Sequence, residues 1–123
     1  TEMTAVIERL MRVHPAPTAV FAANNFLALS AVQALLDRGL RVPEDVSVCC
    51  FDELEAGFVV DPFMSVIAQP AYEFGYMGIQ MLADRIAARA DRQHADEEPA
   101  KPWRKVVLPP QLHVRRSVRE IQL

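Results

Sequence analysis

Two polar side chains close short apolar runs in this chain: Asn24 in Val20–Asn25 (VFAANN) and Asp52 in Gly39–Glu53 (GLRVPEDVSVCCFDE). A side-chain amide donates to one hydroxyl and accepts from another. An ionised carboxylate offers two acceptor oxygens, and its charge-assisted hydrogen bonds exceed neutral ones. Together they are equipment for holding a polyol or a similar polar small molecule. The stretch between the two runs is helix-compatible, so the segment reads as a β-α-β unit with one polar group at the carboxyl end of each strand. In parallel α/β sheets that end is where ligands bind, because loops and helix N-termini converge there. Each residue also has a plainer role open to it, Asn24 as a helix cap and Asp52 as a solvated loop aspartate.

Other chemistries lack their parts. His14, His94 and His113 fall in a turn, a polar loop and a strand, and no GxSxG-like elbow accompanies them. Cys49 and Cys50 are adjacent and have no Cys or His at metal-ligand intervals. On a strand their side chains point to opposite faces, which predicts two reduced structural thiols rather than a disulfide. The four glycines, Gly39, Gly57, Gly75 and Gly78, form no phosphate-cradling loop. The expectation is a binding protein without catalytic residues, metal or cofactor.

The elements that would position Asn24 and Asp52 follow from apolar spacing. Thr4–Val13 reads as a helix through Val6, Ile7, Leu10 and Met11, and His14-Pro15 ends it. Thr18–Ala23 is a short strand, and Asn24 or Asn25 caps the helix Phe26–Leu40. In that helix Leu27, Leu29, Val32, Leu35 and Leu36 leave only a narrow polar stripe of Ser30, Gln33 and Asp37. So wide an apolar surface suits either burial within one subunit or contact with another chain. Gly39 provides the helix-ending turn and Val42-Pro43-Glu44-Asp45 a second turn, before the strand Val46–Phe51. Glu53–Pro62 is a surface loop and Met64–Gln69 another short strand. Tyr72–Arg89 is the longest helix, with Gly75, Ile79, Leu82 and Ile86 on one face. Residues 91–102 form a polar, exposed loop, and Val106–Val114 is a strand interrupted by Pro109-Pro110, at an edge or across a crossover.

At 123 residues the chain suits one domain, which at this size buries roughly two thirds of its unfolded surface. A formal charge of −3 argues against this segment gripping nucleic acid, which requires clustered Lys and Arg. The one basic cluster, Arg115, Arg116 and Arg119 with Glu120 beside it, reads as a solvated strand edge. No apolar run approaches the roughly 18 residues that would span a bilayer, so no membrane partner is expected.

The run AAN, a helix leading into GLRVPEDVSV, then FDE, a short strand closing on Gln69-Pro70, and finally VVLPPQLHVRRS resemble the C-terminal part of lactose-repressor-type (LacI/GalR) transcription regulators. The resemblance runs from about Pro17 to Ser117. It implies an α/β fold, a layered and mostly parallel sheet with flanking helices of the periplasmic-binding-protein-like type I, present here as a partial domain. The whole of 1–123 would be a C-terminal fragment of the effector-binding and dimerisation domain, beginning inside its second lobe. The helix within residues 70–90 would belong to the other lobe.

The resemblance further implies that Asn24, Asp52 and Gln69 contact a small-molecule effector, a sugar or related polar metabolite. Gln69 alternatively serves as a hinge residue between lobes. Phe58 stacks on a sugar face or makes a dimer or lobe contact. Leu29, Val32 and Leu36 would lie at a homodimer interface. DNA would be bound only through an N-terminal domain absent from this chain, in the cytoplasm. Asn25 where Asp is usual, Ser30 and Cys50 where Gly is usual, and Met64-Ser65-Val66 where Leu-Thr-Thr is usual set this chain apart from the family pattern. A transporter's solute-binding protein is the runner-up, and an α/β enzyme with its catalytic residues elsewhere is the reading from another class.

Overall fold

The computed structural model describes residues 2–53, 62–91 and 104–121. The chain divides into two compact units, residues 1–69 with 110–123 and residues 70–109.

In the first unit, α1 (Glu2–Met11) places Met3, Ile7 and Met11 four residues apart on one stripe, with Ile7 buried and the two methionines half-buried against the core. After β1 (Ala19–Ala22) the chain enters α2 (Asn25–Asp37), whose buried Ala28, Ala31, Ala34 and Leu35 form its inner face. The small alanines let the helix axis lie close to the sheet. Its far end is a Schellman turn: Leu40 N–H donates to Leu35 O at 3.0 Å and Gly39 N–H to Leu36 O at 2.8 Å, with Gly39 at φ 75°. Arg41 then closes the next turn on Asp45, donating from Nε at 2.9 Å and from its backbone N–H at 2.8 Å. This pairing holds the Asp45 carboxyl down at about 2.

β2 (Ser47–Phe51) pairs in parallel with β1 on one side and with β3 (Ser65–Ala68) on the other. β4 (Gln111–His113) returns antiparallel against β3, giving the order β1-β2-β3-β4. The sequence expectation of a mostly parallel sheet with flanking helices holds. Alternation does the rest: Ala22, Val48, Cys50 and Val66 lie on one face and are buried with Leu35 and Ile7. Phe21 and Leu112, on the other face, are exposed. Cys50 is buried, Cys49 half-buried, and both are free.

At the amino end of the sheet the buried Ser117 ties two strands together. Its hydroxyl donates to Val48 O at 2.6 Å and accepts from Ser65 N–H at 2.7 Å, while its carbonyl accepts from Val48 N–H at 2.8 Å.

Element boundaries differ from expectation mainly at the end of the chain. The strand expected over Val106–Val114 shrinks to Gln111–His113, because neither Pro109 nor Pro110 has an N–H to give to a ladder. The expected surface loop Glu53–Pro62 and the loop 91–102 lie almost wholly outside the described residues.

In the second unit, α3 (Ala71–Asp91) begins as Phe74 N–H donates to Pro70 O at 3.0 Å. Tyr72 and Tyr76 stack with ring centroids 6.2 Å apart, and Gln80 Nε2 donates to the Tyr76 hydroxyl at 3.0 Å. Ile79, Leu82 and Ile86 are all exposed.

The fully buried Leu35 joins α2 to the sheet, so its truncation removes packing that no neighbour replaces. Leu35→Ala should lower the unfolding free energy by about 3 kcal/mol in equilibrium denaturation. A loss below about 1 kcal/mol would contradict this placement of the core.

Candidate functional site

The register fixes where the polar residues emerge. Ala22 lies opposite Cys50, Cys50 opposite Val66 and Phe51 opposite Ile67, so the three parallel strands end at nearly the same level. Asn24, Asp52 and Gln69 therefore leave the sheet along one carboxyl edge.

Asn24 is the N-cap of α2. Its backbone is extended, and Oδ1 accepts from Leu27 N–H at 2.9 Å, satisfying a donor that has no intrahelical partner. The cap uses the amide oxygen and leaves Nδ2 to donate elsewhere. Asn25 is a helix residue rather than the cap, and its Nδ2 reaches across to Glu53 O at 3.3 Å.

Asp52 turns the chain at the end of β2 with φ 75°, a left-handed conformation that costs a non-glycine residue on the order of 1 kcal/mol. Aspartate tolerates it better than most. The turn is tied back to the sheet by Asp52 N–H donating to Ile67 O at 3.0 Å. Its Oδ1 accepts from Gln69 Nε2. The structure thus brings Asp52 and Gln69 into direct contact, with Gln69 exposed and Asp52 half-buried.

Sequence reasoning missed a second carboxylate. Glu53 receives Arg115 as a fork, Nη1 to Oε1 and Nη2 to Oε2, both at 2.7 Å, and His113 Nδ1 lies 3.2 Å from Oε2. Arg115 also donates from Nη1 to Met64 O at 3.0 Å. Hydrogen bonding from Arg115 holds the Glu53 carboxyl below its ordinary value and raises the guanidinium, while burial pushes the Cys50 thiol up.

The expectation of a solvated basic edge fails at Arg115 and holds for Arg116 and Arg119, which are exposed. The Arg115 side chain is only 18% exposed and is ion-paired. Arg116 lies over the Phe63 ring, 6.0 Å from its centroid, and Arg119 Nε donates to Pro43 O at 3.1 Å. The one signal available in the sequence was Glu53 itself, a second acid directly after Asp52.

Phe58 lies outside the described residues. Leu29 and Leu36 project outward from α2, each about half exposed at 51% and 50%, whereas Val32 is half-buried against the core. Within the first unit a concavity of about 750 Å³ lies between α1 and α2, and within the second unit one of about 270 Å³ lies beside Met77, Gln80, Asp84 and Arg104. Chemically, the edge presents exchangeable donors and acceptors on an open ledge.

A mostly parallel sheet with polar side chains gathered at its carboxyl edge is an α/β lobe, the architecture in which ligands bind at that edge. Residues 1–118 match the periplasmic binding protein-like domain, and the chain belongs to that family. It is 34% identical over 115 residues to the HTH-type transcriptional repressor PurR of Haemophilus influenzae, covering 94% of this chain and 32% of that protein. Among solved structures it resembles the transcriptional regulator CelR in complex with cellobiose, with 32% identity, TM-score 0.73 and coverage of 94% of this chain and 32% of that one. It also resembles a LacI family transcriptional regulator of Enterococcus faecalis with bound ribose, with 26% identity, TM-score 0.74 and coverage of 94% and 39%. The resemblance to lactose-repressor-type regulators is borne out, and the chain spans about a third of the length of the curated relatives it matches.

The lowered Glu53 value sets a pH dependence. A carboxylate whose folded-state value is depressed adds stability that is complete above its unfolded value, near 4.5, and is lost as pH falls through the folded value. Glu53→Gln should therefore be less stable than the parent at neutral pH, with the difference shrinking at pH values below 4.5. Denaturant titrations across the acid limb measure it, and a constant difference at all pH values would refute the assignment.

Proposed function

We propose that the chain is the C-terminal part of the effector-binding, dimerising domain of a bacterial LacI-type transcription regulator, acting in the cytoplasm. The effector is a sugar or related polar metabolite, and DNA is held through an N-terminal domain outside this chain. The observation that carries this reading is the Asp52 and Gln69 pair at the carboxyl edge, with the Asn24 cap beside it. A carboxylate that already accepts from an exposed amide is set to exchange that donor for a ligand hydroxyl. The sugars bound in the similar regulator structures support the ligand class. The repressor named among the relatives favours a regulator over a transporter's solute-binding protein or an enzyme.

The mechanism is a population shift. A ligand that binds one arrangement of the regulator better than another moves the equilibrium by that difference in affinity and no more. Asn24, Asp52 and Gln69 supply the contacts from this chain, and Phe58 is assigned to stacking. The helix α3 is assigned to the other lobe.

A thermal-shift screen of the complete effector domain against sugars, polyols and nucleosides identifies the effector. Asp52→Ala should then weaken its binding by about 1.5 to 3 kcal/mol in calorimetry. Unchanged affinity would reject Asp52 as a contact.

The outward face of α2, Leu29 and Leu36 with the half-buried Val32 between them, is assigned to the homodimer. Leu36→Glu should convert the dimer to monomer in sedimentation, because an unpaired charge does not survive burial in an apolar interface. A dimer of unchanged affinity would place the interface elsewhere.

A further inference from the structure

We propose that Glu53 and Arg115 form a positioning clamp that holds the Asp52 carboxylate in its ligand-facing orientation, an inference that rests on the effector reading of Asp52. Asp52 sits in a left-handed turn that any relaxation toward extended backbone would undo, swinging its carboxylate away from the edge. The contact from Gln69 does not fix it, because Gln69 is exposed and gives up that bond when a ligand hydroxyl arrives. The Asp52 N–H bond to Ile67 O at 3.0 Å ties the start of the turn to β3, and the contacts that hold its far side lie elsewhere.

They lie on the next residue. Glu53 is gripped at both ends, its carbonyl accepting from Asn25 at 3.3 Å and its carboxylate accepting the two-pronged Arg115 at 2.7 Å. Arg115 is itself immobilised. Its backbone N–H donates to Ser65 Oγ at 2.8 Å, that hydroxyl donates to Arg115 O at 3.1 Å, and the guanidinium reaches Met64 O. Bidentate charge-assisted pairs of this kind fix direction as well as distance. Glu53 is thus anchored to β3 and β4, while Asp52, one peptide earlier, is free to meet a ligand. Two adjacent acids divide the work: the second is consumed internally so that the first stays available.

The test is residue-resolved amide hydrogen exchange on the full-length regulator, comparing Glu53→Gln with Asp45→Asn, which breaks an ion pair remote from the edge. Glu53→Gln should speed exchange of the Asp52 amide by about tenfold or more, with the Val48 amide unchanged, and Asp45→Asn should leave both as in the parent. Unchanged Asp52 protection in Glu53→Gln, or equal acceleration at Val48, overturns the clamp. Should Glu53→Gln fail to fold, Glu53→Asp carries the same comparison, since it keeps the charge and shortens its reach.

Calorimetric titration with ribose on the parent and the same proteins, with Asp52→Ala alongside, separates the two claims, and where the parent takes no ribose the exchange experiment alone decides the clamp. Ribose binding lost in Asp52→Ala but unaltered in Glu53→Gln overturns the clamp and leaves the effector reading standing. Ribose binding unaltered in Asp52→Ala removes the effector reading, and the exchange experiment still decides whether Glu53 holds the turn.

Discussion

Parallel pairing of three strands is the constraint on which the rest of this chain depends. Parallel neighbours cannot be joined by a tight hairpin, and the connection from β1 to β2 runs back over the sheet through α2. Each polypeptide excursion then starts at the same edge, and whatever follows a strand is delivered there. The register aligns Ala22, Cys50 and Val66 across the sheet, so three separate stretches of sequence release Asn24, Asp52 and Gln69 side by side. The crossover α2 sits low on the sheet because alanines line its inner face. Ser117 closes the opposite end, satisfying backbone groups of both β2 and β3. One end is internally satisfied and the other is left with polar groups to spare.

That asymmetry separates residues that bind from residues that hold. Among the described residues no buried side-chain nitrogen or oxygen lacks a partner, so the interior has no polar capacity left over. On the proposed reading, capacity for a ligand resides in exposed or half-exposed pairs whose bonds can be exchanged, such as Asp52 with Gln69. A hydrogen bond between two solvent-accessible groups is easily traded for one to a sugar hydroxyl, since the net difference between the two is small. The Glu53 and Arg115 pair, partly buried and bidentate, resists such exchange.

What the sequence made legible was whatever depends on local pattern. Among the described residues apolar periodicity located the helices and the three parallel strands to within a few residues but overran β4, and the polar residues ending the runs were visible as such. The left-handed turn at Asp52 was not, because aspartate populates it only when the surroundings hold it there. Nor was the partner of Glu53, which lies 62 residues away and meets it only after β4 has folded against β3. Arg115 looked like surface because two more arginines follow within four positions, and charge counting has no term for a long-range carboxylate. Asn24 had two readings, and the structure shows the capping one; the proposed ligand contact would use the other end of the same amide and is compatible with it.

The chain leaves its first unit after Gln69 and returns at Pro110, and the two crossings are neighbours, since Ala68 pairs with Gln111. Pro70, Pro109 and Pro110 flank them, so the ladder stops where the first unit stops. Gln69 is consequently the last residue of β3's path before the crossing, and its side chain is bonded to Asp52. Arg115, which anchors the adjacent Glu53, lies a few residues beyond the return crossing, just after β4. Any ligand that exchanges the Asp52 and Gln69 bond therefore acts on a residue one peptide from the outgoing crossing, beside an acid anchored to the incoming one. On the proposed reading a ligand at Asp52 therefore binds beside both crossings of the first unit, and it acts on the regulator only through unequal affinity for its states.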